Sequence, residues 1–315
     1  MCAFFLPLIN ACSSSQDQLP TWVENPQADN IQFIYGIGEG MNLDGAKQSA
    51  LKNIASRFSI KVASNTSNRQ TLHNGRNDQL FQQNINTSID DVELTQFKLL
   101  KTENSNNLYY VLLSISRSEF ILDKQTKLQT LIDDINLELK DIDQKNKVDQ
   151  LYRYNKVLVS ILKAEPLIHL LTVADKRFSS KKYTAKFNQY IEREKQLLAN
   201  TRFFVRSTKK LDVISSLIKN ALETHGFQLA SNFHADGIID ITGTIKNTTN
   251  FSTKNTRIDF NVFVKSPLGR LYKKTSYRLN GSSVSSYQSA QEVATRKFAQ
   301  QITNKLDVYK MFGFN

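Results

Sequence analysis

Ile31-Gln32-Phe33-Ile34-Tyr35-Gly36-Ile37-Gly38-Glu39-Gly40-Met41-Asn42-Leu43-Asp44 is the stretch on which the fold turns. Ile31 to Gly36 carries the apolar and aromatic residues of a strand. Gly36-Ile37-Gly38-Glu39-Gly40 reads as a glycine-rich turn, after which Asn42 or Asp44 can cap a helix. Ala46, Ala50 and Ile54, joined by Leu51, Ala55 and Phe58, then form one apolar face at helical spacing. The chain is expected to pass from a strand through a tight turn into the helix that covers it. Ser59 to Ala63 reads as extended, and Asn65 to Asp78 as a polar loop. Two further strands, Glu93 to Leu100 and Leu108 to Ser116, flank a hairpin turn at Glu103-Asn104-Ser105-Asn106-Asn107. These elements make a sheet-plus-helix unit over roughly residues 20 to 120, ordered from about Pro20-Thr21-Trp22-Val23.

The middle of the chain differs. From Ser118 to Asn200 there is no glycine and one proline, Pro166. Leu128, Leu131, Ile132, Ile135 and Leu139 step by three and four. Leu151, Val157, Leu158, Ile161 and Leu162 continue the pattern, and Tyr183, Phe187, Tyr190 and Ile191 mark a third helix. Residues 121–200 are expected to form a helical hairpin or small bundle broken near Pro166. In residues 201–315 a helix is marked by Leu211, Ile214, Ile218 and Leu222 and stopped by Gly226. Strands follow at Ile239, Ile241 and Ile245, at Ile258, Phe260, Val262 and Val264, and at Tyr272 to Leu279. The last two are joined by the turn Ser266-Pro267-Leu268-Gly269. Ala290, Ala294, Phe298, Ile302 and Leu306 step by four along a closing helix. The fold class is therefore α+β: two small sheet-plus-helix domains separated by a helical hairpin or bundle.

Of 315 residues, 40% are hydrophobic, enough for packed cores, and the net charge is +12. From Asn200 onward there are 17 Lys and Arg against 7 Asp and Glu. A basic domain attracts anionic partners. Arg202-Phe203-Phe204-Val205-Arg206, and Arg270-Leu271-Tyr272-Lys273-Lys274 with Tyr277-Arg278, interleave cations with aromatics. On a strand this gives a basic face opposite an aromatic one. Arg202, Arg206, Arg270, Lys273, Lys274 and Arg278 are the candidate contacts to an anionic partner. The alternative is a half-buried strand with a solvated outer face.

The N-terminus supplies a second signal. Ala3 to Ile9 is nearly all apolar, Ala11 precedes Cys12, and Ser13-Ser14-Ser15-Gln16-Asp17-Gln18 follows. This resembles a bacterial lipobox. Residues 1–11 would be a signal peptide, Cys12 the lipidated first residue carrying palmitate-type acyl chains, and 12–19 a tether. A secretory peptide opens with positive charge, and the first charged residue here is Asp17, so the basic residues are expected upstream of Met1. The alternative is a free N-terminus with a chance cysteine. No other segment reaches the roughly 18 apolar residues of a membrane helix, which leaves lipid alone as the anchor.

Familiar catalytic patterns are missing. Gly36-Ile37-Gly38 fails as a dinucleotide fingerprint, because Met41 stands where the third glycine belongs and Ser56 and Ser59 where an acidic residue belongs. His73, His169, His225 and His234 form no zinc-protease spacing, and His234 with Asp236 is two ligands only. No Gly-x-Ser-x-Gly elbow occurs, and Asp133 and Asp134 read as a helix surface. With Cys2 in the signal peptide, the mature chain has one cysteine, so no disulfide framework is available. No enzyme, cofactor or metal site is expected.

Pro20-Thr21-Trp22-Val23, Tyr35-Gly36-Ile37-Gly38-Glu39-Gly40 and the alanine-rich helix together resemble the Lpp-twenty lipoprotein family. Its members begin with a lipobox, a short tether, a Pro-x-Trp element and a Tyr-Gly-x-Gly-x-Gly turn into an Ala-x-x-x-Ala helix. Tyr109-Tyr110-Val111-Leu112-Leu113 leading to Ser116-Arg117 is also similar. The likeness spans residues 8 to 120, and the middle and basic C-terminal parts lie outside it. It implies an outer-membrane lipoprotein facing the periplasm, without catalysis, and in some members linked to the flagellum. Ser13, where an inner-membrane retention signal has aspartate, fits that location. The expected function is a structural or assembly role in the envelope. The alternative is a periplasmic binding module for an anionic polymer such as peptidoglycan or lipopolysaccharide. The expected partners are the membrane through Cys12, envelope or flagellar proteins, and such a polymer, with no nucleic acid.

Overall fold

The three glycines of Gly36 to Gly40 lie within a strand, β1 (Phe33–Gly40), and not in a turn. The computed structural model describes residues 19–67, 96–231, 234–303 and 305–313. Residues 1–18, with Cys12, lie outside the described residues, as do His73 and most of the expected loop from Asn65 to Asp78. The fold is α+β. The chain divides into two units, Met1–Leu128 with Glu165–Ser179 and Gln129–Ala164 with Ser180–Asn315. The helices expected at 121–200 are shared out between the two.

In the first unit a short helix, α1 (Thr21–Glu24), precedes β1, and α2 (Leu43–Ser67) follows it. β2 (Lys98–Ser105) and β3 (Leu108–Ser116) complete an antiparallel sheet of order β1-β3-β2. Gly36, Gly38 and Gly40 all face α2, because alternate strand residues share a face. A Cβ on Gly38 would stand 2.2 Å from Ala46 O and 2.2 Å from Ala50 N; one on Gly36 would stand 2.7 Å from Ala50 O. The helix backbone therefore rests directly on the strand backbone. Ala46, Ala50, Val111 and Leu113 close the seam, and Ile34, Ile54, Phe58, Ile115 and Phe120 extend it. Asn42 caps α2 as expected, its Oδ1 accepting from Gly45 N at 2.7 Å.

Two expectations in this unit are corrected. Ser59 to Ala63 is helical and not extended, because Val62 continues the four-residue step of Ile54 and Phe58 and extending a formed helix is easy. The hairpin turn is only Asn106-Asn107; Glu103, Asn104 and Ser105 belong to β2. Both turn residues have positive φ, 54° and 61°, the backbone of a two-residue turn that matches strand twist. Near the strand start, Arg57 Nη1 meets both oxygens of Asp29 at 3.2 Å, and Asp29 accepts from Tyr35 N at 2.9 Å.

Three long helices follow: α3 (Arg117–Leu139), α4 (Lys147–Ala174) and α5 (Lys181–Ala199). Pro166 lies inside α4 and does not break it. The missing amide bond costs about 3 kcal/mol. It is offset by a stripe of buried residues on both sides: Val148, Leu151, Val157, Ile161, Ala164, Ile168 and Leu171. By length and composition alone α4 could cross a bilayer, contrary to the expectation that no segment reaches that mark. The buried stripe accounts for that composition as a core helix.

The second unit has a five-stranded sheet of order β5-β4-β6-β7-β8. The strands are β4 (Arg202–Ser207), β5 (Gln228–Leu229), β6 (Gly237–Asn250), β7 (Thr253–Lys265) and β8 (Leu271–Ser283). β4 runs parallel to β5 and β6, and β6-β7-β8 is an antiparallel meander. The helices α6 (Asp212–Thr224), α7 (Tyr287–Gln301) and α8 (Lys305–Phe312) supply Ile214, Ile218, Leu222, Phe298, Val308 and Met311 to its core. The strands supply Phe203, Val205, Ile239, Ile241, Ile258, Phe260, Val262 and Val264. Gly226, at φ 84°, ends α6 as expected: Phe227 N donates to Leu222 O and Gly226 N to Glu223 O, each at 3.0 Å. The closing helix is two helices, since α7 ends at Gln301 and Ile302 caps it. The four-residue step to Leu306 is thereby broken.

Gly38→Val places a side chain against backbone atoms that have nowhere to move. We expect urea unfolding to show a loss of about 3 kcal/mol. A loss well under 1 kcal/mol would mean that α2 can stand away from β1.

Candidate functional site

One face of the second sheet is occupied by its helices; residues of the opposite parity make the other face. Cross-strand register sets them in rows: Asp240, Phe263 and Lys274; Thr242, Asn261 and Ser276; Thr244, Asp259 and Arg278; Lys246, Arg257 and Asn280. Arg206 on β4 lies beside Asp240. The cations Arg206, Lys246, Arg257, Lys265, Lys274 and Arg278 thus share this face with two carboxylates, Asp240 and Asp259.

Each carboxylate is held between two cations. Asp240 accepts from Arg206 Nε at 3.1 Å and Nη2 at 3.0 Å, and from Lys265 Nζ at 2.8 Å. Burial pushes its carboxyl up, but the hydrogen bonds from Arg206 and Lys265 outweigh burial and hold it below the usual carboxylate range. Asp259 accepts from Arg278 Nε at 2.7 Å and Arg257 Nε at 2.6 Å, which lower its pKa in turn. Lys265 and Lys274 lie over the ring of Phe263, at 4.8 and 5.6 Å from its centroid. After these pairings the face keeps a positive surplus.

The six cations singled out from sequence do not converge on one site. Arg206, Lys274 and Arg278 share the outer face, and Arg202 has the same strand parity as Arg206. Arg270 sits in the β7–β8 turn, where its Nη1 pairs with Asp149 Oδ1 at 3.0 Å and its guanidinium lies over Tyr272. Lys273 points to the helix side, where its side chain lines Gly313. Lys246, Arg257 and Lys265 were missed. Their signal was the second half of two alternations whose apolar half alone was read: Ile239-Asp240-Ile241-Thr242-Gly243-Thr244-Ile245-Lys246 for Lys246, and Arg257-Ile258-Asp259-Phe260-Asn261-Val262-Phe263-Val264-Lys265 for the other two.

Of the histidines, His225 Nε2 is 3.1 Å from Thr303 O, and among the described residues no three metal-ligating side chains cluster. In the first unit, burial pushes the carboxyl of Glu165 up to about 8, and its Oε2 has no hydrogen-bond partner among the described residues.

No protein-family model and no curated protein matches the chain. Among solved structures, it is similar to the secreted protein HP1454 from Helicobacter pylori. That likeness has 14% sequence identity and a TM-score of 0.50, and covers 92% of this chain and 100% of that one; it shows a shared fold. Shorter similarities reach a minor lipoprotein from Acinetobacter baumannii (15% identity, 35% of this chain and 92% of that one, TM-score 0.30). Lipoprotein GNA1162 from Neisseria meningitidis is matched at 12% identity over 33% of this chain and 99% of that one, with a TM-score of 0.25.

Asp240→Asn removes the carboxylate shared by Arg206 and Lys265. A depressed carboxyl pKa stabilises the fold above the ordinary value near 4 and loses that effect as pH falls through the lowered folded value. Urea unfolding at pH 7 should therefore show a loss of about 1 kcal/mol, shrinking toward pH 3. Equal stability at pH 7 would show that the triad contributes nothing.

Proposed function

We propose that this protein is an outer-membrane lipoprotein, anchored by lipid on Cys12 and facing the periplasm, with a structural or assembly role in the cell envelope. The observation that carries the reading is the sequence Leu8-Ile9-Asn10-Ala11-Cys12-Ser13, an apolar run ending at a small residue, a cysteine and a polar tether. The fold agrees with that role in two ways. The protein whose fold this chain shares, HP1454, is a secreted one. The features of the first unit that resemble the Lpp-twenty family include its seam of Gly36, Gly38 and Gly40 against Ala46 and Ala50, a packing device with no catalytic group in it. A flagellar association belongs to the same proposal and rests on that resemblance alone.

The surplus of cations on the outer sheet face favours a second reading, a binding module for an anionic envelope polymer such as peptidoglycan or lipopolysaccharide. Such binding would weaken steeply with salt, because exposed charges are screened within about 10 Å at 0.1 M.

Cys12→Ser tests the first reading. The variant should fold normally, with unchanged unfolding in urea, and be released from the membrane fraction by a high-salt wash that leaves the parent protein in place. A variant that stays with outer membrane through that wash would contradict the lipid anchor.

A further inference from the structure

The β6–β7 hairpin is the longest among the described residues, with thirteen paired positions from Ile238↔Lys265 to Asn250↔Thr253. Lys246 through Ser252, at its far end, are all exposed, with Thr249 Oγ1 2.5 Å from Tyr287 Oη at the side. Phe251 stands at the apex, fully exposed at 104%, with φ 51°. A bulky side chain rarely occupies the left-handed region, where glycine or asparagine is the usual turn residue. A phenylalanine held there, wholly in water, gains nothing from its own fold. Outliers of this kind cluster at ligand contacts.

The charges behind the apex point the same way. Between Asp240 and Asp259 the chain has no acidic residue, and it has Lys246, Lys254 and Arg257. Lys246 and Arg257 are directly opposite one another across the strands, a like-charge pairing that works against the hairpin. Asp259, the carboxylate nearest in sequence, already accepts from both Arg257 and Arg278. Lys254 pairs with Thr249, one step behind the Asn250↔Thr253 pair that closes the turn, and its Nζ lies 5.5 Å from the centroid of the Tyr287 ring. An apolar side chain that enters a bilayer interface sits about 5–10 Å deep, at the headgroup–acyl boundary. With Phe251 at that depth Lys254 is the first cation to reach the headgroups, and Lys246 and Arg257 follow three pairs further back.

We propose that the tip of the β6–β7 hairpin docks on a bilayer surface rich in anionic phospholipid, with Phe251 entering the interface, Lys254 meeting the headgroup phosphates, and Lys246 and Arg257 adding attraction from behind. This goes beyond the lipid anchor and does not depend on it. The apex supplies a second, non-covalent contact beside the acyl chains.

The test uses the full chain carrying Cys12→Ser, and so free of lipid, sedimented with vesicles of phosphatidylethanolamine containing phosphatidylglycerol or with vesicles of phosphatidylcholine alone. Binding should require phosphatidylglycerol and fall with salt. Phe251→Ser should weaken it about tenfold, and Lys246→Gln and Lys254→Gln about fivefold each. Because these side chains are outside the core, urea unfolding of the variants should match the parent and separate lost binding from lost fold. The proposal is overturned by equal binding to both vesicle types, by no binding to either, or by unchanged binding in all three variants. It is also overturned if the variants lose retention on purified peptidoglycan while their vesicle binding stays at the parent level. None of these outcomes bears on Cys12, since the protein tested carries no acyl chain at that position.

Discussion

The first unit depends on the contact of a helix backbone with a strand backbone. Gly36, Gly38 and Gly40 leave the helix-facing side of β1 without side chains, and Ala46 and Ala50 keep the facing side of α2 nearly as bare. Neither surface alone is hydrophobic enough to form a core. Brought together they gain close-packed dispersion over a wide area, at little side-chain entropy cost because alanine has almost none to lose. The second unit repeats the device. A Cβ on Gly281 in β8 would stand 1.9 Å from Ala290 O and 2.7 Å from Ala294 N in α7. In both units an alanine pair one turn apart lies on a strand glycine, and the larger residues, Ile54 and Phe58 or Phe298, fill the space beside it.

This seam leaves the opposite face of the second sheet as the place where chemistry can vary. Its inner residues are fixed by packing, and its outer residues answer only to solvent and to one another. Arg206, Asp240 and Lys265 form one triad, and Arg257, Asp259 and Arg278 another. Exposed pairs of this kind add little stability. They position guanidinium groups on a rigid strand lattice and leave the face positive. The hairpin apex extends that lattice outward, where Phe251 is fully exposed.

Much of this was legible in sequence where one period dominates. Ile258, Phe260, Val262 and Val264 alternate so cleanly that β7 needed no further information, and Leu211 to Leu222 with Gly226 fixed α6 together with its end. The seam in β1 was harder to read. Three glycines in five residues look like a turn, and only their spacing by two shows that they share one face of a strand. Pro166 and the Ser59-to-Ala63 segment misled for a related reason: local preference argues for a break or an extended segment, while the helical stripe around each continues. The basic face was read from neighbours in sequence, but which cations are already paired depends on partners such as Asp240, 34 residues from Arg206. Pairing across strands needs the register, and no local pattern supplies it.

Ahead of the two sheet-plus-helix units, Cys12 stands in a sequence that resembles a lipobox, and the proposed lipid anchor rests on it. The measurement that bears on it most directly is the intact mass of the N-terminal peptide of the protein purified from cells. The account predicts a mature chain that starts at Cys12 and carries a diacylglyceryl or triacyl modification. A peptide that retains residues before Cys12, with a free thiol, would contradict it.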